Sequence, residues 1–195
     1  RRREGGPDLV LRGLRLRDRA EWEALRAANA GWLAPWEAAP PHVGRTMKFS
    51  QVVRTWDREA ERGRLQPFAI EVEGRLVGQI HLGPITWGSL RSAGVGYWVA
   101  EHVAGRGIGP TALAAVVDHA FVTLGLHRVE ANVRPDNAAS LSVVRKLGFR
   151  DEGLRSSYMF VDDAWRDHRS FALTVEDLAG ASLLESWNAS AGRPP

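Results

Sequence analysis

The feature that most constrains the fold of this chain is a run of alternating glycines between a strand pattern and a helix pattern. Gly105, Gly107 and Gly109 follow residues 93–100, which predict a strand, and open residues 107–124, which predict a helix. Glycine lets the backbone turn tightly and come close to a ligand. The first amides of a helix lack partners within it and attract anions. The run therefore predicts a strand–turn–helix unit of an α/β protein, with a phosphate site or a plain turn at its centre.

The rest of the pattern predicts strands and helices that alternate along the chain. Apolar alternation predicts strands over 9–17, 67–73, 76–82, 93–100, 127–134, 149–156 and 165–175. Helical spacing and capping residues predict helices over 18–29, 47–62, 107–124, 137–147 and 176–186. Residues 30–46 are rich in Pro, Gly and Trp and predict an irregular loop or short turns. This order indicates a mixed α/β architecture with a central βαβ crossover.

Two local signals refine the boundaries of these elements. Asp18 followed by Glu21 predicts a capping box at the first helix, and Gly74-Arg75 predicts the turn of a hairpin. The expected organisation is one domain over 9–176, a flexible lead-in over 1–8, and a short helix with a tail over 177–195.

Composition excludes several classes of function. The chain has no cysteine, which excludes disulfides, thiolate nucleophiles and zinc–sulfur sites. Its 26 Lys and Arg exceed its 23 Asp and Glu only through Arg1, Arg2 and Arg3, so we expect no direct nucleic-acid binding. The histidines lack metal-ligand spacing, and no metal is expected. The absence of a membrane-length apolar run and of a signal-peptide pattern predicts a cytoplasmic protein without membrane contact.

A second segment that could carry chemistry opens the helix predicted over 137–147. Asn137 is well placed as its N-cap, and Ser140 shares a helix face with Asn137 and Val144. From the residues alone, a functional pair and a cap followed by an unrelated serine are both compatible with this spacing.

Four motifs follow one another in a fixed order. They are Gly96-Tyr97-Trp98-Val99, the alternating glycines, Asn137-x-x-Ser140 and Lys146-x-Gly148-Phe149. Together, over roughly residues 9–176, they resemble the GNAT family of acetyl-CoA-dependent N-acetyltransferases, in particular its RimJ/RimL branch, which acetylates ribosomal-protein N-termini. The resemblance implies a mixed, mostly antiparallel central sheet with helices on both faces. It also implies a V-shaped splay between the two strands that flank the CoA site.

The resemblance implies roles for residues of the first two motifs. Backbone amides of the glycine turn would cradle the CoA pyrophosphate, and they belong to Gly105, Arg106, Gly107, Ile108 and Gly109. Pantetheine would lie in the splay beside Trp98 and Val99. A backbone N–H near Val99 would polarise the acetyl carbonyl, as the donors of an oxyanion hole do.

The resemblance also implies roles for the Asn-x-x-Ser helix. Asn137 would bind the pantetheine arm, and Ser140 would lie by the sulfur and assist departure of the thiolate. Many relatives carry a tyrosine at the position of Val144, and its absence here leaves that role to Ser140.

Two positions depart from the pattern of the family. Ala104 stands where a Gln or Arg usually begins the phosphate motif, which removes one side-chain contact. Met159 stands where some RimL-like relatives place a glutamate base, and a thioether cannot accept the proton. The general base is therefore open, with Glu37, His81, Glu101, Asp136 and Asp162 as candidates by sequence neighbourhood.

The resemblance places the acceptor near the tryptophan-rich loop at residues 32–37. Trp36 would wall a shallow slot, and Glu37 would face the incoming ammonium group. The alternative is that these side chains only pack against the first helices. Trp165-Arg166-Asp167-His168 recurs in RimJ-like sequences, and its physical role does not follow from the sequence.

The leading hypothesis is direct acetyl transfer from acetyl-CoA to a protein N-terminus, for which alanine of ribosomal protein S5 is the model. No cysteine is available to carry an acetyl group, and no Ser–His–Asp arrangement is evident. One alternative is acetylation of a small amine such as a polyamine or aminoglycoside. Another is a non-catalytic CoA-binding or ribosome-assembly factor. The chain is expected to act as a monomer or homodimer.

Overall fold

One seven-stranded sheet organises the computed structural model, which describes residues 8–38 and 47–191. The strand order is β1-β2-β3-β4-β5-β7-β6. The strands are β1 Leu9–Arg12, β2 Gln66–Val72, β3 Arg75–Thr86, β4 Ser92–Val99, β5 Arg128–Val133, β6 Arg150–Val161 and β7 Ala164–Thr174. Neighbours pair antiparallel except β4 and β5, which are parallel, so the predicted mixed sheet is confirmed. The expectations for residues 1–7, 39–46 and 192–195 lie outside the described residues.

Helices cover both faces of the sheet, as predicted. They are α1 Arg19–Ala28, α2 Ala30–Leu33, α3 Phe49–Glu61, α4 Ile108–Asp118, α5 Ala138–Lys146, α6 Val175–Leu178 and α7 Leu183–Ala191. The larger core cluster joins the sheet to α4, α5 and α7, and this side is called the α4 face. A smaller cluster joins the other side to α1 and α3, and that side is called the α1 face.

Successive side chains of β3 point alternately to the two faces of the sheet. Ile80 and Leu82 are fully buried in the core of the α4 face. Gln79 and His81 alternate with them and therefore point to the α1 face. Gln79 accepts a hydrogen bond there from the indole of Trp98, at 3.3 Å.

The parallel pair β4–β5 is short, and this creates an opening in the middle of the sheet. The two strands pair only from Ser92 to Gly94 and from Arg128 to Glu130. Beyond these residues β4 continues beside β3, whereas β5 continues beside β7. The predicted V-shaped splay is thus observed, and it begins after Gly94.

Several predicted boundaries are wrong because contacts distant in sequence decide them. Asp18 does not cap α1, since its carboxylate accepts from the backbone N–H of Arg15 and from the side chain of Arg12. Glu21 accepts from the N–H of Leu76 on β3 at 2.9 Å instead of closing a capping box. The first strand ends at Arg12, well before residue 17.

Other boundaries differ because of local backbone conformation. Residues 30–36, predicted as an irregular loop or short turns, form the short helix α2 and a 3-10 turn. The β2–β3 turn uses Glu73 and Gly74, both at positive φ, rather than Gly74 and Arg75. The final helix is split into α6 and α7 because Ala179 and Gly180 also have positive φ.

Gly78 offers a test of how closely β3 and β4 approach. A methyl group at Gly78 would lie 2.3 Å from the backbone oxygen of Trp98, which pairing holds in place. We expect Gly78→Ala to lower the free energy of unfolding by about 1–3 kcal/mol, measured from urea denaturation. Gly31→Ala is the control, because a methyl group there meets no atom within 4 Å. Equal midpoints for the two variants would contradict the close approach.

Candidate active site

The splay between β4 and β5 widens into a groove of about 1050 Å³. It is open to the α1 face and reaches the N-terminus of α5. Residues that line it include Trp36, Glu37, His81, Gly94, Gly96, Tyr97, Trp98, Glu130, Asn132, Asn137, Ser140, Met159 and His168. The groove therefore brings together Trp36, Glu37, Trp98, Asn137 and Ser140, which the sequence singled out. The glycine turn and Val99 lie just beyond this lining, at the end of β4.

The glycine turn presents an array of free backbone donors. Gly105 and Gly107 have φ of +76° and +79°, a conformation that favours glycine. Gly107 is the N-cap of α4, and no side chain caps this helix. None of the amides from Gly105 to Gly109 donates a hydrogen bond to another residue in the described ranges. Free N–H groups at the positive end of a helix dipole suit a phosphate group.

The edge of β4 that faces the splay carries unpaired backbone groups. Ala100 donates its N–H to the carbonyl of Val77 on β3 at 2.7 Å. Since donors alternate between the two edges of a strand, the N–H and C=O of Val99 and Tyr97 point into the splay. Trp32 of α2 donates its indole N–H to the carbonyl of Val99 at 3.2 Å. The N–H of Val99 therefore faces the splay, and the N–H of Tyr97 faces it as well.

The N-terminus of α5 forms the inner wall of the splay. The side-chain oxygen of Asn137 accepts from the N–H of Ser140 at 3.0 Å, so the predicted N-cap is confirmed. Val144, one turn later, is fully buried and apolar. Ser140 is therefore the hydroxyl-bearing residue that this face of α5 presents to the groove.

Tyr97 places a second hydroxyl beside Ser140. Burial raises the pKa of Tyr97, and the neighbouring Ser140 hydroxyl acts in the opposite direction. The buried phenol oxygen makes no well-formed hydrogen bond to any residue that the structure describes, so its contact with Ser140 is a loose one. The sequence alone does not reveal this pair of hydroxyl groups, because the pair forms only where β4 meets α5.

Aromatic and charged side chains wall the groove at the α1 face. The Arg26 guanidinium lies 5.3 Å from the ring centre of Trp98 and donates to Glu37 at 2.7 Å. The Arg134 guanidinium lies 5.2 Å from the ring centre of Trp36. Trp36 and Glu37 both line the groove, but the charge of Glu37 is already compensated by an arginine.

The structure separates the candidate bases. Asp136 pairs with Arg134, Asp162 pairs with Arg166, and both carboxylates are exposed. Glu101 is exposed in a 3-10 turn beyond β4 and does not line the groove. With Glu37 paired to Arg26, these four carboxylates are poor candidates.

Two side chains with contrasting chemistry remain in the groove. Met159 lines it from β6, so this position offers no proton acceptor there. His81 lines it from β3, and its imidazole makes no hydrogen bond within the described ranges. Burial lowers the pKa of His81 below the ordinary histidine value, which keeps the ring neutral at pH 7.

The segment Trp165–His168 holds the β6–β7 hairpin. Arg166 donates to the carbonyl of Asp162, and Asp167 accepts from the N–H of Ser157 at 2.7 Å. The Nδ1 of His168 donates to the carbonyl of Arg166 at 3.0 Å. This segment therefore has a structural role that the sequence did not reveal, and His168 also reaches the groove.

The described residues, 8–38 and 47–191, contain neither a membrane-length helix nor a cluster of metal-binding side chains. No helix there has the length and apolar character needed to cross a membrane. In the same ranges, no group of three or more His, Asp or Glu side chains is arranged to hold a metal ion.

Comparison with known proteins gives a consistent result. Residues 8–150 match the family described as "Acetyltransferase (GNAT) domain". The structure of Mycobacterium smegmatis RimJ in complex with CoA-disulfide is similar at 42% identity and a TM-score of 0.87, covering 95% of this chain and 90% of that one. A ribosomal-protein-S5-alanine acetyltransferase structure from Vibrio fischeri is similar at 26% identity and a TM-score of 0.78, covering 87% of this chain and 94% of that one.

Curated relatives match over a shorter span. "Probable N-acetyltransferase YjcK" of Bacillus subtilis is 38% identical over 105 residues, which are 54% of this chain and 58% of that protein. The "[Ribosomal protein uS5]-alanine N-acetyltransferase" of Escherichia coli is 32% identical over 105 residues, 54% of each chain. The match thus spans somewhat more than half the length of these two relatives.

GNAT acetyltransferases use acetyl-CoA, for which the glycine turn and the splay are suited. With a family match over residues 8–150 and this architecture, the chain belongs to the GNAT acetyltransferase family.

Proposed function

We propose that this chain transfers an acetyl group from acetyl-CoA to the N-terminal amine of a protein that begins with Ala or Ser. The choice of acceptor rests on the carboxylates that line the groove. In the described part of the chain, all of them are paired with arginines. The pairs are Glu23–Arg19, Glu37–Arg26 and Glu130–Arg128. A polyamine or aminoglycoside carries several ammonium groups and requires uncompensated carboxylates. A peptide N-terminus brings one ammonium group on an otherwise neutral backbone.

The residues present fit acetyl-CoA as the donor. Free amides at Gly105–Gly109 suit its pyrophosphate, and the unpaired edge of β4 suits the two amides of its pantetheine arm. The groove is open toward the α1 face, which leaves an approach for an extended peptide. When bound, acetyl-CoA supplies an acyl group already activated as a thioester.

Each residue of the splay has a role in direct transfer. The N–H of Val99, with that of Tyr97 beside it, stabilises the negative charge that develops on the acetyl oxygen. Asn137 orients the pantetheine arm, and Ser140 supplies a proton to the departing thiolate. Trp36 walls the acceptor end of the groove, where Glu37 and Arg26 form a neutral pair.

The similarity to proteins named as uS5-alanine acetyltransferases supports a ribosomal protein such as S5 as the acceptor. We further propose a cytoplasmic setting, because ribosomal proteins are made and assembled there. The chain lines the groove with its own residues, which suits action as a monomer or as a homodimer.

A short Ala- or Ser-starting peptide should be acetylated at least tenfold faster than spermidine or kanamycin, because the described lining of the groove holds no carboxylate without an arginine partner. Turnover is measured as release of free CoA thiol at equal acceptor concentration. The control is the same peptide with a blocked α-amine and a free internal lysine, which should be nearly inert. Preference for spermidine would overturn the choice of acceptor, and equal turnover of the blocked peptide would indicate lysine acetylation.

The non-catalytic alternative draws support from Met159, which removes a base that some relatives have. Release of CoA that depends on the peptide distinguishes the two functions. Tight CoA binding without release by any acceptor would favour a CoA-binding or ribosome-assembly factor.

A further inference from the structure

We propose that His81 is the general base that takes the proton from the acceptor amine. This inference rests on the acetyl transfer proposed above. It assigns the role of general base, which the thioether of Met159 cannot fill. His81 belongs to β3, the strand paired with the open strand β4, and it lines the groove from the α1 face. It thus stands on the side from which the acceptor enters, opposite to the side covered by α4.

The position of the imidazole is fixed by its contact with Gly96. His81 and Gly96 are directly opposite each other in the β3–β4 ladder. A methyl group at Gly96 would lie 2.7 Å from Cε1 and 3.0 Å from Nε2 of His81. The ring therefore leans across β4 toward the splay, in space that exists only because residue 96 has no side chain. Tyr97, whose N–H faces the splay, is the next residue along the strand.

Among the described residues, His168 is the other histidine that lines the groove, and its position is less suited to this task. It lies on β7, beyond β5, whereas His81 lies on the strand next to the open edge of β4. Its Nδ1 is engaged by the Arg166 carbonyl, and only 4% of its surface is exposed. The imidazole of His81 makes no hydrogen bond with any residue in the described ranges, which leaves its unprotonated ring nitrogen available as an acceptor.

The surroundings of His81 keep it neutral and leave it without a competing partner. The carboxylates that share the groove are Glu23, Glu37 and Glu130, and each is paired with an arginine. The other ionisable groups on its α1-face side are Arg26, Lys48, Arg134, Tyr158 and His168. Burial alone lowers the pKa of His81 below 6.5, so the ring is an unprotonated acceptor at pH 7.

The proton balance of the reaction is complete with these residues. The acceptor first releases one proton to solvent, because the pKa of an α-amine lies near neutral pH. The neutral nitrogen then forms a bond to the acetyl carbon, and the bond from that carbon to sulfur breaks. The nitrogen loses one proton to a ring nitrogen of His81, and the sulfur gains one proton through Ser140. His81 then returns its proton to water, and Ser140 recovers one from water, so the products are the amide and the free thiol.

The first test replaces the base without emptying its site. His81→Gln should lower kcat for an Ala-starting peptide by about 100-fold or more, the range of general-base catalysis. Acetyl-CoA affinity, measured by calorimetry, should stay within twofold, because the glycine turn is distant from His81. The wild-type kcat should fall in acid, at a pH below the ordinary histidine pKa, because burial lowers the pKa of His81. The residual kcat of the variant should lack this fall.

The matched control is His127→Gln, which alters an exposed histidine beside Glu176 and should leave kcat unchanged. A kcat within threefold of wild type for His81→Gln would overturn the proposal, as would an unchanged pH profile. Failure of the wild-type chain to acetylate any acceptor would instead overturn the proposed function, so the two failures are distinguishable.

Two further variants separate chemistry from structure. His81→Ala should regain at least tenfold in kcat when imidazole is added, and no regain would count against a base at this position. Gly96→Ala should lower kcat in the wild-type background, because the new methyl group displaces the ring. In the His81→Ala background the same substitution should have little effect. Equal effects of Gly96→Ala in both backgrounds would contradict the proposed contact.

Discussion

Gly107→Val is expected to weaken acetyl-CoA binding more than 100-fold while leaving the chain folded. The N-cap residue of α4 has φ of +79°, which a β-branched side chain does not tolerate. Relief of the strain rotates the backbone and redirects the amides of Gly105–Gly109, which donate to no other residue that the structure describes. Isothermal titration calorimetry gives the affinity, and circular dichroism gives the fold.

Gly74→Val is the matched control for this substitution. Gly74 has nearly the same φ, +77°, and lies in the β2–β3 turn far from the groove. Both variants carry a similar backbone strain of about 1–2 kcal/mol. Loss of affinity should therefore be specific to Gly107. Unchanged affinity in Gly107→Val, or equal losses in both variants, would remove the phosphate role of the turn.

Ser140→Ala is expected to lower kcat by about 100-fold with little change in the KM for acetyl-CoA. The hydroxyl assists the leaving thiolate, so its contribution arises mainly in the transition state, where proton transfer is typically worth 10²–10⁴-fold. The Asn137 cap uses the backbone N–H of Ser140 and survives the substitution. Steady-state kinetics with a saturating peptide measure both constants.

Two further variants accompany Ser140→Ala, one at a distant serine and one at the tyrosine beside Ser140. Ser190→Ala removes an exposed hydroxyl on α7 and should leave both constants unchanged. Tyr97→Phe tests whether the adjacent phenol contributes to the same proton transfer. A loss below threefold for Ser140→Ala, or one confined to KM, would assign this serine to packing or to binding of the donor.

The elements that the sequence predicted well are those whose signals are local. The alternating glycines and the Asn137 cap both depend on residues within one turn of each other, and both occur as predicted. The capping box predicted from Asp18 and Glu21 does not form, because the partners of these side chains lie on other elements, Arg12 on β1 and Leu76 on β3. A capping pattern alone does not reveal such competing partners.

The candidate site shows the same division between local and distant signals. Motif positions such as Ser140 and Trp98 were identified from the sequence and line the groove. The pairing of Glu37 with Arg26 could not be predicted, because the loop and α1 meet only in the folded chain. His81 was one of five candidate bases, and its contact with Gly96 depends on the register of β3 against β4.

The short pairing of β4 with β5 has a consequence for solubility. An unpaired strand edge at the rim of a sheet recruits strands of other molecules and promotes aggregation. Here the unpaired edge of β4 lies inside the sheet, between β3 and the diverging β5. Trp32 of α2 covers its end at the carbonyl of Val99. Such a cleft admits a single thin, flexible chain and excludes a second sheet. The molecule thereby keeps a strand edge with free hydrogen-bonding groups without exposing that edge to other copies of itself.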